Sequence, residues 1–444
     1  MTRIIGGAGR GLPRRAFLGG AASLGALGLA PRRLLAQDAT LRMWWWGEQE
    51  LPGLQAYLDE AVAAFGEARV EPMLQDTAVV ISQFQTAAAA GEAPDIQYLW
   101  NGIYHMESVW FGYLRPLSGL VDASVLADSN PTVLSNFDGQ TWRMGWYPLP
   151  MMIYFNKDAF ERAGLNPEAP PATWDAFLAA CEALRTASVT PYGGGIQDGY
   201  WGEWWLTHAM SQELDTVGEA VELFIGDKDF REPRYHEHWV RLAELRDAGF
   251  LNDDISSVEL YPGIDRIVAG DIAMGQSIGT RLPADSQASG GRIGVMTLPV
   301  FGTGKLAGQP IVDVQGLGIS ADSQSPELAA RFLEFLNAPE RLQSFWDNTG
   351  WVPASSRFDA SAIEDLSVRD LWARWGQSPN ITNITNLVPG QFYEQAAIPT
   401  AQEILASGIS GEEAGEMAAR VAGEWRDFNP DLVEKYRAWV ADLS

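Results

Sequence analysis

The sequence predicts an α/β protein of two doubly wound lobes with a strand crossing between them, and three observations carry that expectation. Residues 41–100 alternate short apolar strands with helical segments in the order β-α-β-α-β, which implies a parallel sheet covered by helices. A second α/β unit opens at Thr173. Between them lies an apolar, aromatic strand over 144–156 that contains Pro148 and Pro150. Proline cannot donate to a sheet ladder, so this strand suits a crossing between lobes.

The N-terminal segment stands outside the fold. Arg14-Arg15 precedes Ala16-Phe17-Leu18 and a mild apolar run from Gly19 to Ala30, and Ala36 precedes Gln37. A basic region, a short apolar stretch and a small residue before a polar one is the layout of an export signal, here residues 1–36. The run is too short and too rich in Gly and Ala to anchor in a bilayer. Paired arginines before Phe-Leu point to the twin-arginine route. No cysteine ends the signal, so a soluble periplasmic protein without a lipid anchor is expected.

The elements then follow in order. Leu41 to Trp46 reads as a strand, and Leu54, Tyr57, Leu58, Ala61, Val62 and Phe65 recur at helical spacing. Val70–Leu74 is a second strand, 80–90 a helix, and Gly91 to Pro94 breaks it before a third strand over 95–100. In parallel sheets ligands sit beyond the carboxyl ends of the strands, where Trp46 and Trp100 fall. Thr173 caps a helix whose Trp174, Phe177, Leu178, Cys181 and Leu184 share a face. Cys181 is thus a core residue, not a nucleophile. Residues 191–205 read as a Gly- and Trp-rich loop, followed by helices to Phe224 and over 235–248. Strands are expected at 293–299 and 311–320, and Ser325-Pro326-Glu327 opens a further helix. The tail from Ala401 is helical.

Charge and composition exclude several functions. Without residues 1–36 the chain loses six arginines and no acid, so 25 Lys and Arg face 57 Asp and Glu, a formal charge of −32. Nucleic acid and anionic membranes are poor partners for such a chain. One cysteine allows no internal disulfide. His236 and His238 flank Glu237 but read as solvated helix residues, so no metal and no cofactor is expected. Gly193-Gly-Gly195 lacks the Lys-Ser/Thr of a phosphate cradle.

Several stretches together resemble the family 1 extracellular solute-binding proteins, which include the maltose-binding proteins. These are Tyr154-Phe-Asn-Lys-Asp158 with Phe160, Ala163-Gly-Leu165 and Pro171-Ala-Thr-Trp-Asp175; Gly270-Asp-Ile-Ala-Met-Gly275; Gly316-Leu-Gly-Ile-Ser320 with Glu327, Ala329 and 332–336; and Ala93-Pro94-Asp95. The resemblance implies a type II-like periplasmic binding fold, two doubly wound lobes joined by a multi-stranded hinge. Its first lobe would hold 37–147 plus 318–350, and its second 148–317 plus 351–444, with a ligand between them. It puts Trp46, Glu48, Trp100 and Asn101 in the first lobe's binding loops, and Trp201 to Trp204 in the second lobe's aromatic and acidic loop. Arg281 falls where maltose binders carry a stacking tryptophan, and Tyr393 near a second aromatic position. A monomer serving the permease of an ABC importer is the implied context.

The residue chemistry agrees with a sugar. A sugar ring has an apolar face and a fence of hydroxyls, so a binder needs aromatic platforms and planar hydrogen-bonding groups. Eighteen tryptophans exceed what a core requires. Trp46, Trp100, Trp201, Trp204 and Trp351 are platform candidates, and Glu48, Asn101, Asp198, Glu203, Arg281, Asp313 and Gln315 hydroxyl readers. Trp45 faces opposite to Trp44 and Trp46 and is assigned to the core. Two alternatives remain. Carboxylates such as Glu48, Asp198 and Glu203 could form a glycosidase acid/base pair, although no catalytic motif accompanies them. Aromatic and acidic walls also hold organic cations, which Arg281 would oppose.

Overall fold

Thirteen consecutive buried residues, Met144–Asn156, form the longest strand described, and the remaining architecture is arranged about it. The computed structural model describes residues 39–76, 79–100, 103–129, 135–363, 365–375, 381–441 and 443. The expected signal over 1–36 and Asn101 lie outside these residues. The strands are β1 (Thr40–Trp45), β2 (Arg69–Leu74), β3 (Ile96–Leu99), β4 (Leu114–Arg115), β5 (Asn136–Phe137), β6 (Gln140–Thr141), β7 (Met144–Asn156), β8 (Thr190–Gly193), β9 (Ile272–Ile278), β10 (Ile293–Met296) and β11 (Ile311–Ser320). Nine form one sheet in the order β2-β1-β3-β11-β7-β9-β8, with β4 added to β11 and β10 to β7, while β5 and β6 pair separately.

At one end of this sheet β1 pairs in parallel with both β2 and β3. The intervening helices, Leu54–Ala64 and Val80–Ala90, bury Leu54, Tyr57, Leu58 and Ala61, and Val80, Ile81, Phe84 and Ala88. Each set repeats at three- and four-residue spacing, so each helix turns one apolar stripe inward. At the other end β8 and β9 are parallel. The helix Trp174–Thr186 packs there through Trp174, Phe177, Ala180, Cys181 and Leu184, and the Thr173 hydroxyl caps it.

Two long strands join the ends. β7 pairs with β11 through Met144–Met151 and with β9 through Met151–Phe155. Pro148 and Pro150 therefore lie where β7 has β11 on one side and has not yet met β9, which explains how two prolines fit into the middle of a sheet. The lobe boundaries read from sequence, after 147 and before 318, fall inside β7 and β11.

Two expectations are corrected. His236 and His238 are buried, not solvated. His236 Nδ1 lies 2.9 Å from the Phe230 carbonyl and His238 Nδ1 3.1 Å from Glu213 Oε2. Burial holds the His238 imidazole neutral and pushes the Glu213 carboxyl upward. The tryptophan excess also belongs mainly to the core, since Trp45, Trp201, Trp205, Trp239, Trp351 and Trp439 are among the largest fully buried side chains. No described helix is long and apolar enough to cross a membrane.

Candidate functional site: an aromatic and acidic cavity at the strand crossing

The chain order 1, 2, 3 and the sheet order β2-β1-β3 make β1 and β3 the point where the winding reverses. Neighbouring connections diverge at such a point and leave a crevice beyond the carboxyl ends. Trp46 and Trp100 directly follow the last residues of β1 and β3 and line a cavity of about 390 Å³, within the usual size of a small-molecule site. Their rings meet edge-on at 5.6 Å, with Tyr98 completing the cluster at 5.7 and 5.9 Å.

The crossing strands supply the floor. Asp313 and Gln315 are two apart on β11, hence on one face, and both line the cavity with Leu149 of β7. Asp313 accepts from Thr382 Oγ1 at 3.3 Å and Asn386 Nδ2 at 2.7 Å. The Gln315 carbonyl accepts from the Tyr98 hydroxyl at 2.7 Å.

The far wall follows β8. After a short loop carrying Asp198, the helix Tyr200–Met210 presents Tyr200, Glu203 and Trp204 to the cavity, the i, i+3, i+4 face. Glu203 is held on both oxygens: Oε1 accepts from Asn383 Nδ2 at 3.1 Å and from the Thr385 hydroxyl, and Oε2 from the Tyr393 hydroxyl at 3.2 Å. Tyr393 opens a π-helical turn, Tyr393–Ala397, a wider winding often found at functional positions. Glu259, Leu260 and Tyr261 complete this wall.

Burial sets the electrostatics. The Glu50 carboxyl is pushed up to about 8 by burial, with the Tyr147 hydroxyl pulling partly back and Asp313 adding repulsion. Glu203 is raised for the same first reason, against the donors named above. Asp198 is raised by burial, opposed by backbone donors including Leu260.

Of the residues singled out from sequence, Trp46, Trp100, Asp198, Glu203, Trp204, Asp313, Gln315 and Tyr393 come together on the cavity. Four others stand elsewhere. Trp201 is not in a loop but on the helix, buried and stacked on Trp205 at 5.9 Å, with its indole N–H on the Gly193 carbonyl at 3.3 Å. A Cβ on Gly194 would stand 2.6 Å from that indole nitrogen, which fits the glycine there. Trp351 is buried beside the crossing, donating to the Pro148 carbonyl at 2.8 Å. Glu48 accepts from the backbone N–H of Gly53 at 3.1 Å and Gln55 at 2.6 Å, capping the Leu54–Ala64 helix. Arg281 is held by Asp265 at 2.6 Å and Asp285 at 3.1 Å, with its guanidinium 5.5 Å from the Tyr261 ring centre. It backs a cavity aromatic without lining the cavity.

The sequence reading missed Gln49, Glu50, Asp76, Tyr200 and Tyr261, and the pair Asn383 and Asn386. The last two had a signal: Asn-Ile-Thr recurs from Asn380 to Asn386, a three-residue period that lines up one polar face of a 3₁₀ turn.

Two α/β ends sharing two crossing strands, with a ligand-sized cavity at the crossing, define a type II periplasmic binding fold. Solved structures agree: a chitin oligosaccharide binding protein matches with a TM-score of 0.76 at 20% identity, over 88% of this chain and 99% of its own. A solute-binding protein from Thermotoga lettingae bound with α-D-tagatose scores 0.71 at 19% identity, over 87% and 99%. A raffinose complex of the binding protein RafE scores 0.70 at 17% identity, over 88% and 100%. The chain belongs to the family of bacterial extracellular solute-binding proteins, which it matches over residues 49–341. Among curated relatives, the sn-glycerol-3-phosphate-binding periplasmic protein UgpB of Salmonella typhimurium strain LT2 is 28% identical over 46% of this chain and 47% of its own length. The Yersinia pestis protein of the same name is 26% identical over 53% and 55%. The chain thus spans about half the length of the curated relatives it matches.

Proposed function

We propose that this protein is the extracytoplasmic receptor of an ABC importer and holds a carbohydrate between two lobes. The observation that carries the reading is the cavity wall itself, in which the rings of Trp46, Trp100, Trp204 and Tyr261 alternate with Gln49, Gln315, Asn383, Asn386 and carboxylates. Flat apolar faces interleaved with planar donors and acceptors match a sugar ring and its hydroxyls. Solved relatives named for chitin oligosaccharide and raffinose support it. Glycerol 3-phosphate, named for the UgpB relatives, is disfavoured, because the described lining contains no Lys, Arg or His to meet a phosphate.

In this reading the twin-arginine signal over 1–36 delivers a soluble monomer to the periplasm. Residues 37–147 with 318–350 form one lobe and 148–317 with 351–444 the other, and the ligand draws them together by binding the closed state better. Catalysis has little support: Glu203 has both oxygens engaged and Glu48 is occupied as a helix cap. A thermal-shift panel of mono- and oligosaccharides tests the proposal. A ligand at a hundredfold excess over its Kd adds about 2.7 kcal/mol of stability. At least one sugar is expected to stabilise and to be recovered unchanged. Stabilisation by glycerol 3-phosphate alone, or recovery of cleaved sugar, overturns it.

A further inference from the structure

Six carboxyl groups stand in the described wall of the cavity, those of Glu50, Asp76, Asp198, Glu203, Glu259 and Asp313, with no described Lys, Arg or His among them. Two arginines beside the wall are already committed. Arg143 donates to the Leu99 and Val314 carbonyls and interacts with Asp313, while Arg281 is bound by Asp265 and Asp285. Glu203 and Asp313 are satisfied by side-chain donors. Glu50 and Asp198 are different: both line the cavity, and Glu50 Oε1 and Asp198 Oδ1 accept no hydrogen bond, Glu50 being the more buried at 3% exposed.

A buried carboxyl oxygen without a donor is costly, and a donor that enters the cavity adds to what the neighbouring Tyr147 hydroxyl gives the Glu50 carboxyl. A sugar hydroxyl supplies one hydrogen bond there and gains little from the other five acids. An ammonium supplies the bond as Glu50, pushed up to about 8 by burial, releases its proton, and it is also attracted by the ionised carboxylates of the wall across a medium less polar than water. The faces of Trp46, Trp100 and Trp204 attract it again through their ring quadrupoles. Arg281, the residue that would have opposed a cation, stands behind Tyr261 with its charge neutralised.

We propose that the preferred ligand is an aminated carbohydrate, a sugar or polyol bearing a protonated amine that seats against Glu50 and Asp313. This rests on the carbohydrate reading above and narrows it. Calorimetric titration of the whole protein at pH 6.5 tests it with chito-disaccharides and trisaccharides, in free-amine and N-acetylated forms of equal length, and with the matching glucose oligomers. The free-amine forms are expected to bind at least tenfold tighter, with the gap shrinking between about 0.05 and 0.5 M salt as charge is screened. Glu50→Gln, which keeps the shape of the side chain, is expected to cut the gap severalfold, and Asp313→Asn to do so independently.

Equal or tighter binding of the neutral forms overturns the inference and leaves the carbohydrate reading standing. Binding of putrescine or choline with no sugar of either kind overturns both. An amine preference that survives both substitutions overturns the assignment to Glu50 and Asp313, and failure of every amine to bind overturns the inference outright.

Discussion

At the β1–β3 end of the sheet, Trp46 and Trp100 each follow directly on the last residue of a parallel strand. At the β8–β9 end, Trp201, Trp204 and Trp205 all stand on one helix. The two arrangements sort their rings by different rules. Beyond a strand end the crevice of the switch point is the open direction, so position alone directs the ring to the cavity. On a helix the 3.6-residue period divides neighbours, sending Tyr200, Glu203 and Trp204 to the cavity and Trp201 with Trp205 to the core. Adjacent tryptophans therefore have opposite work.

The largest expected effect tests the core side of that division. Trp201→Ala removes a fully buried ring stacked on Trp205, and deletions of this size cost about 3–5 kcal/mol. Denaturant unfolding should register that loss, while the folded fraction retains most of its ligand affinity. A Trp201→Ala variant with normal stability and abolished binding would falsify the division of the helix into two faces.

The next effect is smaller and of the opposite kind. Trp100→Ala takes away a half-buried ring at the cavity, and loss of a central aromatic contact typically weakens binding by about 2–4 kcal/mol. Calorimetry should find that loss, with a stability change well below that of Trp201→Ala. If the two variants exchange roles, strand-end placement does not direct rings to the ligand.

The same contrast explains what was legible in the sequence. β7 and β11 could be bounded to the residue because each is a long, mostly apolar run, and the switch-point tryptophans came with the ends of β1 and β3. The far wall was harder. Taking 191–205 for a loop hid the helix start at Tyr200, and without a helix phase Trp201 and Trp204 cannot be told apart. Trp351 and Arg281 were misplaced for another reason. Their partners, the Pro148 carbonyl and Asp265 with Asp285, are specified by tertiary approach, and no local pattern encodes it. Gly279 bears the mark of that approach, since a Cβ there would lie 2.9 Å from the Trp351 ring. Glu50 was hidden beside Glu48, because two acids two residues apart look alike until one is seen capping a helix.

That pair of carboxyls gives the smallest and most discriminating test. Glu50 titrates at about 8 in the folded chain and near 4.5 when unfolded. Between those values the folded state keeps a proton the unfolded state has lost, so the stability associated with Glu50 is full below the unfolded value and declines as pH rises through the folded one. One such site changes stability by at most about 1.4 kcal/mol per pH unit. Glu107, pushed up to about 7 by burial, acts in the same direction below that pH. His208, pushed down to about 3, works the opposite way only as pH falls below the ordinary histidine range. Glu203 and Glu213 are also raised by burial but are common to parent and variant, so comparing the two from pH 7 to 8 isolates Glu50. Glu50→Gln cannot ionise, so its melting temperature should exceed that of the parent increasingly from pH 7 to 8. Glu48→Ala should instead lower stability by about 0.5–2 kcal/mol, the usual worth of a helix cap, because it removes the acceptor of the Gly53 and Gln55 N–H groups. Parallel pH profiles for the parent and Glu50→Gln would mean that Glu50 is already ionised in the empty cavity, and the contrast between the two carboxyls would then reduce to position alone.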